Sequence, residues 1–177
     1  QLFGGAKIVT TGDNSGYITT TGKSSDGGVS KVFSSADGNS FFIPFAHIID
    51  GQRIDRSMTI SWTTPHNKTA RFWYVNGKYP KLLESYPFYI RIDTREDLSG
   101  LKLTMKNHEP TLPATYRLLY FRENTGEEIG IPTPTELVFD LRKKGDYAIG
   151  ENRVIASYVS VQDGNWNDPA TWSPNAV

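Results

Sequence analysis

The stretch that most restricts the fold is Ala70-Arg71-Phe72-Trp73-Tyr74-Val75, which runs straight into Asn76-Gly77. Aromatic and β-branched side chains favour extended backbone because they pack well on a pleated surface. Asn-Gly supplies the positive φ angles of a tight turn and is the strongest short turn signal in the chain. Similar runs recur at 29–33, 40–46, 58–62, 88–92, 101–105, 115–121, 137–139, 147–149 and 154–161, separated by Gly, Pro, Asn and Asp. Weaker runs at 6–10 and 17–20 flank Gly12-Asp13-Asn14-Ser15-Gly16. Within 58–62, Met58, Ile60 and Trp62 alternate with Thr59 and Ser61, the pattern of a half-buried strand. Pro44 cannot donate to a ladder, so the run at 40–46 is expected at a sheet edge or a strand end. The segment 123–131 contains helix formers, but Gly126 and Gly130 interrupt it, and a loop is expected there. Taking about seven to nine of these runs as strands at turn spacing, with no crossover helix, predicts an all-β fold: an antiparallel β-sandwich with strand-rich extensions at both ends.

Composition narrows the function. The 19 basic and 19 acidic residues cancel, leaving no electrostatic footprint for nucleic acid or an anionic membrane. No apolar run is long enough to span a bilayer. Cysteine is absent, which excludes disulfides and thiolate chemistry. The chain opens at Gln1 with no signal-peptide pattern, as expected of a processed or internal fragment. Near its end stands Gly164-Asn165-Trp166-Asn167-Asp168-Pro169-Ala170-Thr171-Trp172. Asn, Asp and Pro make a polar turn between two indoles, the opening of a new folded unit.

That nonapeptide is similar to the start of a repeated unit in large secreted cell-surface proteins of Bacteroidetes-type bacteria, exported by the type IX route. There it opens a G8-like or β-helical strand-repeat segment. Further landmarks occur here in the same order. Gly16-Tyr17-Ile18-Thr19-Thr20-Thr21-Gly22 resembles the end of a preceding segment, and Phe41-Phe42-Ile43-Pro44-Phe45-Ala46 resembles a Phe-Pro-Val-Gly stretch without its glycine. Gly145-Asp146-Tyr147-Ala148-Ile149-Gly150-Glu151 resembles a Gly-Asp-Tyr-Thr-Ala-Gly-Glu stretch. The resemblance implies a tail of one strand-repeat segment at 1–28, a sandwich module at 29–161 and the start of the next segment at 162–177. It implies an extracellular, cell-surface location, and as partners the neighbouring modules of the same chain, surface glycans or other surface proteins.

Candidate sites are sparse. Asp163, Asn165, Asn167 and Asp168 place oxygens at spacings a calcium ion could use, although an Asx-rich turn gives the same letters. His47, His66 and His108 lack zinc spacing. The carboxylate pairs Glu96-Asp97 and Glu127-Glu128 lie in polar stretches, and no nucleophile stands at motif spacing from a base, so no catalytic residue and no resident cofactor is expected. Aromatics crowd residues 62–89, and Trp62, Trp73 and Tyr74 are the candidates for stacking on sugar rings. The same rings fill a core equally well. Neighbours along a strand face opposite ways, so either Phe72 and Tyr74 point inward with Trp73 outward, or the reverse. Trp166 and Trp172 are candidate contacts between modules. The function expected is a non-catalytic structural or adhesin module; the alternative is a carbohydrate-binding module of a secreted enzyme.

Overall fold

The computed structural model describes residues 2–4, 7–9, 16–22, 26–33, 39–63, 67–109, 111–123, 125–151, 158–160 and 172–174. No helix occurs among them. The strands are β1 (Leu2–Gly4), β2 (Lys7–Val9), β3 (Tyr17–Thr19), β4 (Asp26–Phe33), β5 (Ser40–Ile43), β6 (Ala46–Ile49), β7 (Gln52–Asp55), β8 (Met58–Trp62) and β9 (Lys68–Asn76). They continue with β10 (Ser85–Asp93), β11 (Leu101–Lys106), β12 (Tyr116–Arg122), β13 (Thr125–Gly130), β14 (Glu136–Asp140), β15 (Gly145–Glu151), β16 (Tyr158–Ser160) and β17 (Trp172–Pro174). A seven-stranded sheet runs β1-β4-β9-β10-β15-β12-β13, and a four-stranded sheet runs β14-β11-β8-β5. Every ladder in both is antiparallel.

Alternation decides which side chains meet between the sheets. From the four-stranded sheet come Met58, Ile60, Trp62, Leu101, Leu103, Met105, Leu137 and Phe139; from the larger sheet come Phe72, Tyr74, Ile90, Ile92, Tyr147 and Ile149. Phe33 locks one edge of this core, set edge-to-face against Trp62 at 5.3 Å and Phe72 at 6.0 Å. Such aromatic pairs contribute about 0.5–1.5 kcal/mol beyond the area they bury. The segment before β4 joins in as well. Leu2 pairs with Val29, Ile18 is buried, and the Ile18 N–H donates to Pro44 O at 2.8 Å.

Several local expectations change in the structure. Residues 123–131 do not form a loop. They contain β13, an edge strand paired with β12 from Leu118↔Gly130 to Arg122↔Thr125. Helix propensity loses here because sheet hydrogen bonds are available and Gly126 lets the backbone pass the Phe121 ring, 2.5 Å from where a Cβ would sit. Its carboxylates also find cations, Glu128 with Arg117 at 3.1 Å and Glu127 with Arg142 at 3.0 Å, and charge on an edge strand discourages pairing with other chains. The run at 40–46 splits at Pro44 into β5 and β6. A hairpin then follows through Asp50 and Gly51, both at positive φ (49° and 77°), the geometry an Asp-Gly turn provides. Asn76-Gly77 does not close a tight hairpin. Asn76 pairs with Phe88 and the Gly77 N–H donates to Pro87 O at 2.7 Å, so residues 78–86 make an excursion from the ladder.

Candidate functional site

That excursion determines what the outer face of the seven-stranded sheet becomes. Phe72 and Tyr74 face the main core and Trp73 points the other way, as does Val75. Outward does not mean exposed, because Tyr79 and Leu82 fold back over the sheet. With Trp73, Val75, Tyr89, Leu119, Phe121 and Ala148 they form a second buried cluster. The Tyr79 ring lies 4.5 Å from Phe121 and 5.0 Å from Tyr89. Its N–H donates to the buried Ser85 Oγ at 2.9 Å, and the Leu82 N–H closes a turn onto Tyr79 O at 3.1 Å. Gly150 leaves room for this strap, since a Cβ there would stand 2.4 Å from Glu84 O.

The segment 20–22 covers the other part of the same face. Thr20 Oγ1 donates to Tyr74 O at 2.7 Å and accepts from Tyr74 N at 2.9 Å, taking both ladder positions of that residue. Gly22, at φ 68°, passes so close to Val75 that a Cβ would fall 2.4 Å from its methyl. Arg91 fastens the segment down. Its Nη1 donates to Gly22 O at 2.8 Å, while Nε and Nη2 reach the two oxygens of Asp146 at 2.9 and 3.4 Å. The fork-to-carboxylate geometry is a strong form of ion pair because both N–H bonds run to one planar partner.

Between these covers and the Arg91 end of the sheet lies an open cleft of about 1140 Å³. Arg71, Arg91, Lys144, Asp93 and Asp146 line it, with Tyr79 and Trp73 at its floor. Lys144 pairs with Asp93 at 2.9 Å. The Tyr79 phenol is pushed far above its ordinary range by burial first and then by Asp146. Burial likewise raises Tyr89, and the hydrogen bond to Asp146 raises Arg91. All three shifts lead away from neutrality, so at physiological pH these groups hold a fixed protonation state and shape a charged surface.

The sequence-predicted sites fare differently. Trp62, Trp73 and Tyr74, offered for sugar stacking, are 3%, 8% and 2% exposed, so none presents a ring face to solvent. Phe72, Tyr79, Tyr86, Phe88 and Tyr89 are buried too. A continuous apolar run such as Phe72-Trp73-Tyr74-Val75 is itself the signal of a strand covered on both faces; Tyr79, Leu82 and Arg91 carry no such signal. Asp163, Asn165, Asn167, Asp168 and Trp166, like His66, lie outside the described residues. Trp172 pairs through its backbone with Ser160 across β16 and β17. Among the described residues no three His, Cys, Asp or Glu come together in a way that would hold a metal. The Glu127 and Glu128 carboxylates are ion-paired as above, and Asp97 accepts from Ser99 N and Oγ at 2.9 and 2.6 Å. His47 and His108, far apart in sequence, reach the same end of the sandwich. Compared with known proteins, the chain matches no family model, no curated protein and no solved structure.

Proposed function

We propose that this chain is a non-catalytic structural module, a stiff β-sandwich segment of a large secreted bacterial cell-surface protein of the Bacteroidetes type, exported by the type IX route. One observation carries this reading: the aromatic-rich region 62–89 is used up as core on both faces of the seven-stranded sheet. Rings of the kind that stack on a ligand hold the fold together here. Two stacked hydrophobic clusters resist bending in a way a sheet with one solvated face does not, which suits a spacer that transmits orientation along a chain of modules. In this role Trp166 and Trp172 serve as contacts to a neighbouring module, and the backbone pairing of β16 with β17 supports a folded rather than trailing connection.

The test combines binding and turnover. Tryptophan fluorescence of the purified chain is followed against soluble polysaccharides, and the same protein is screened on chromogenic glycosides and esters. No saturable fluorescence change and no turnover are expected. A saturable change abolished by Trp73→Ala would instead establish the carbohydrate-binding alternative.

A further inference from the structure

The ladder between β8 and β11 pairs Met58 with Met105. That register carries Arg56, two residues before Met58, to the same end of the sandwich as His108, three residues after Met105. Asn107, buried at 5%, anchors the loop there through its N–H to Thr135 O at 2.8 Å and its Nδ2 to Thr133 O at 2.7 Å. His47 arrives from β6, its ring 6.2 Å from that of Tyr74. The Arg56 guanidinium stands 5.3 Å over the Phe88 ring. Tyr74 and Tyr86 pack against the same Phe88 ring at 5.2 and 5.0 Å. The result is an arginine over the Phe88 ring of a three-ring aromatic group, close enough for its charge to act on both imidazoles, all drawn from five different strands or their ends.

Arg56 shares a side-chain hydrogen bond with the Tyr74 hydroxyl, and the Glu109 carboxylate lies near enough to act on Tyr86 and His108, yet two donors are left over. Arg56 Nε and the Tyr86 hydroxyl are both buried and without a hydrogen-bond partner. Asp55, Lys106 and Glu109 are the other charged groups that act on His108. The Asp55 carboxylate is engaged by the Ser57 N–H at 2.9 Å. The ion pairs of the described residues leave Arg56 out. Burial and then the Arg56 charge hold both His47 and His108 below the ordinary imidazole value, with Asp55 and Glu109 opposing part of the effect on His108. A buried donor left unpaired costs stability that an incoming acceptor returns. Both histidines and Arg56 keep part of their surface in solvent, so an acceptor approaches from that side and reaches the buried Arg56 Nε and Tyr86 hydroxyl behind it by a local shift of their cover.

We propose that this end of the sandwich binds one oxyanion, a carboxylate or a phosphate group, held by the Arg56 guanidinium with the Tyr86 hydroxyl and the His47 and His108 imidazoles as further donors. The inference is independent of the structural role proposed above. A guanidinium presents a planar fork that matches either oxyanion, and the imidazoles strengthen the site as they gain protons.

The test follows the histidine ring signals of the intact chain by NMR across pH. Inorganic phosphate and acetate are added separately, with sodium chloride at matched ionic strength as the screening baseline. The titration midpoints of His47 and His108 are expected to rise together with phosphate or acetate beyond the chloride baseline. A response to phosphate alone assigns a phosphate site; a response to both assigns a general oxyanion site. Arg56→Gln is expected to abolish the rise, and Tyr86→Phe to weaken anion affinity by about tenfold, the worth of a charge-assisted hydrogen bond. Tyr86→Phe removes only an unpartnered hydroxyl, so it keeps the fold should Arg56→Gln lose it. Midpoints in phosphate and acetate equal to those in chloride, or unchanged affinity in folded Tyr86→Phe, would overturn the proposal.

Discussion

Gly28→Ala is the sharpest single test of how the outer face is closed. Gly28 sits in β4 at φ 63°, a conformation that places an L-residue's Cβ too close to the backbone and costs about 1–2 kcal/mol. The new methyl would also stand 2.7 Å from Phe72 O and 2.6 Å from the Trp73 indole. One neighbour is backbone in a central strand and the other is a ring wedged in the second core, so neither yields easily; such overpacking costs about 1–3 kcal/mol. Together the two terms give about 2–5 kcal/mol. Gly51→Ala separates them, because Gly51 has a similar φ of 77° with nothing within 4 Å of the added carbon. It should lose only the backbone term. Urea unfolding measured by tryptophan fluorescence reads both variants, and with a slope of about 1–3 kcal/mol per molar the Gly28 midpoint should fall by about 1 M or more. Equal midpoints for the two variants would show that β4 is not held against Trp73 and would falsify the closed outer face.

Tyr147→Phe should cost about 1–3 kcal/mol in the same assay, because the Tyr147 hydroxyl accepts from Arg142 N at 2.9 Å and donates to Lys143 O at 3.2 Å within a buried site, leaving both unpartnered when removed; a neutral substitution would mean that the loop at 141–144 reorganises freely. A double-mutant cycle of Arg91→Met and Asp146→Asn should give a coupling of about 0.5–1 kcal/mol, modest because the Arg91 side chain is 39% exposed and solvent screens the pair. Additive losses would show that Arg91 acts through Gly22 O and the Tyr89 hydroxyl and not through Asp146. The folded-state values of His47 and His108 lie below the unfolded value of about 6.5, so the unfolded chain binds more protons in that window. Their contribution is complete above pH of about 6.5 and is lost as pH falls through the folded values. The urea midpoint should therefore drop on acidification, and by less in a His47→Gln, His108→Gln double variant; identical pH profiles would count against it.

Alternation and turn chemistry carried much of this fold. Met58–Trp62 reads as a half-buried strand and is one, because its period of two needs only one apolar layer on one side. Pro44 ends a strand wherever the rest of the chain goes, since the missing N–H is a property of the residue itself. What single-strand patterns cannot contain is the identity of the cover over a second apolar face. Phe72-Trp73-Tyr74-Val75 announces burial on both sides, but that Tyr79, Leu82 and Thr20 supply the outer layer depends on where the excursion after Asn76-Gly77 lands. A turn dipeptide sets local φ and ψ and says nothing about the length of chain beyond it. β13 escaped for a related reason: helix propensities within 123–131 are worth only tenths of a kcal/mol per residue, and pairing with β12 outweighs them. The site at Arg56 was invisible for the strongest reason. Its members are separated along the chain by whole strands, and only the register of β8 against β11 brings His108 beside Arg56. Local sequence settled many of the strands, β7 and β13 apart, while the ladders between distant segments decided which charges share one end of the sandwich.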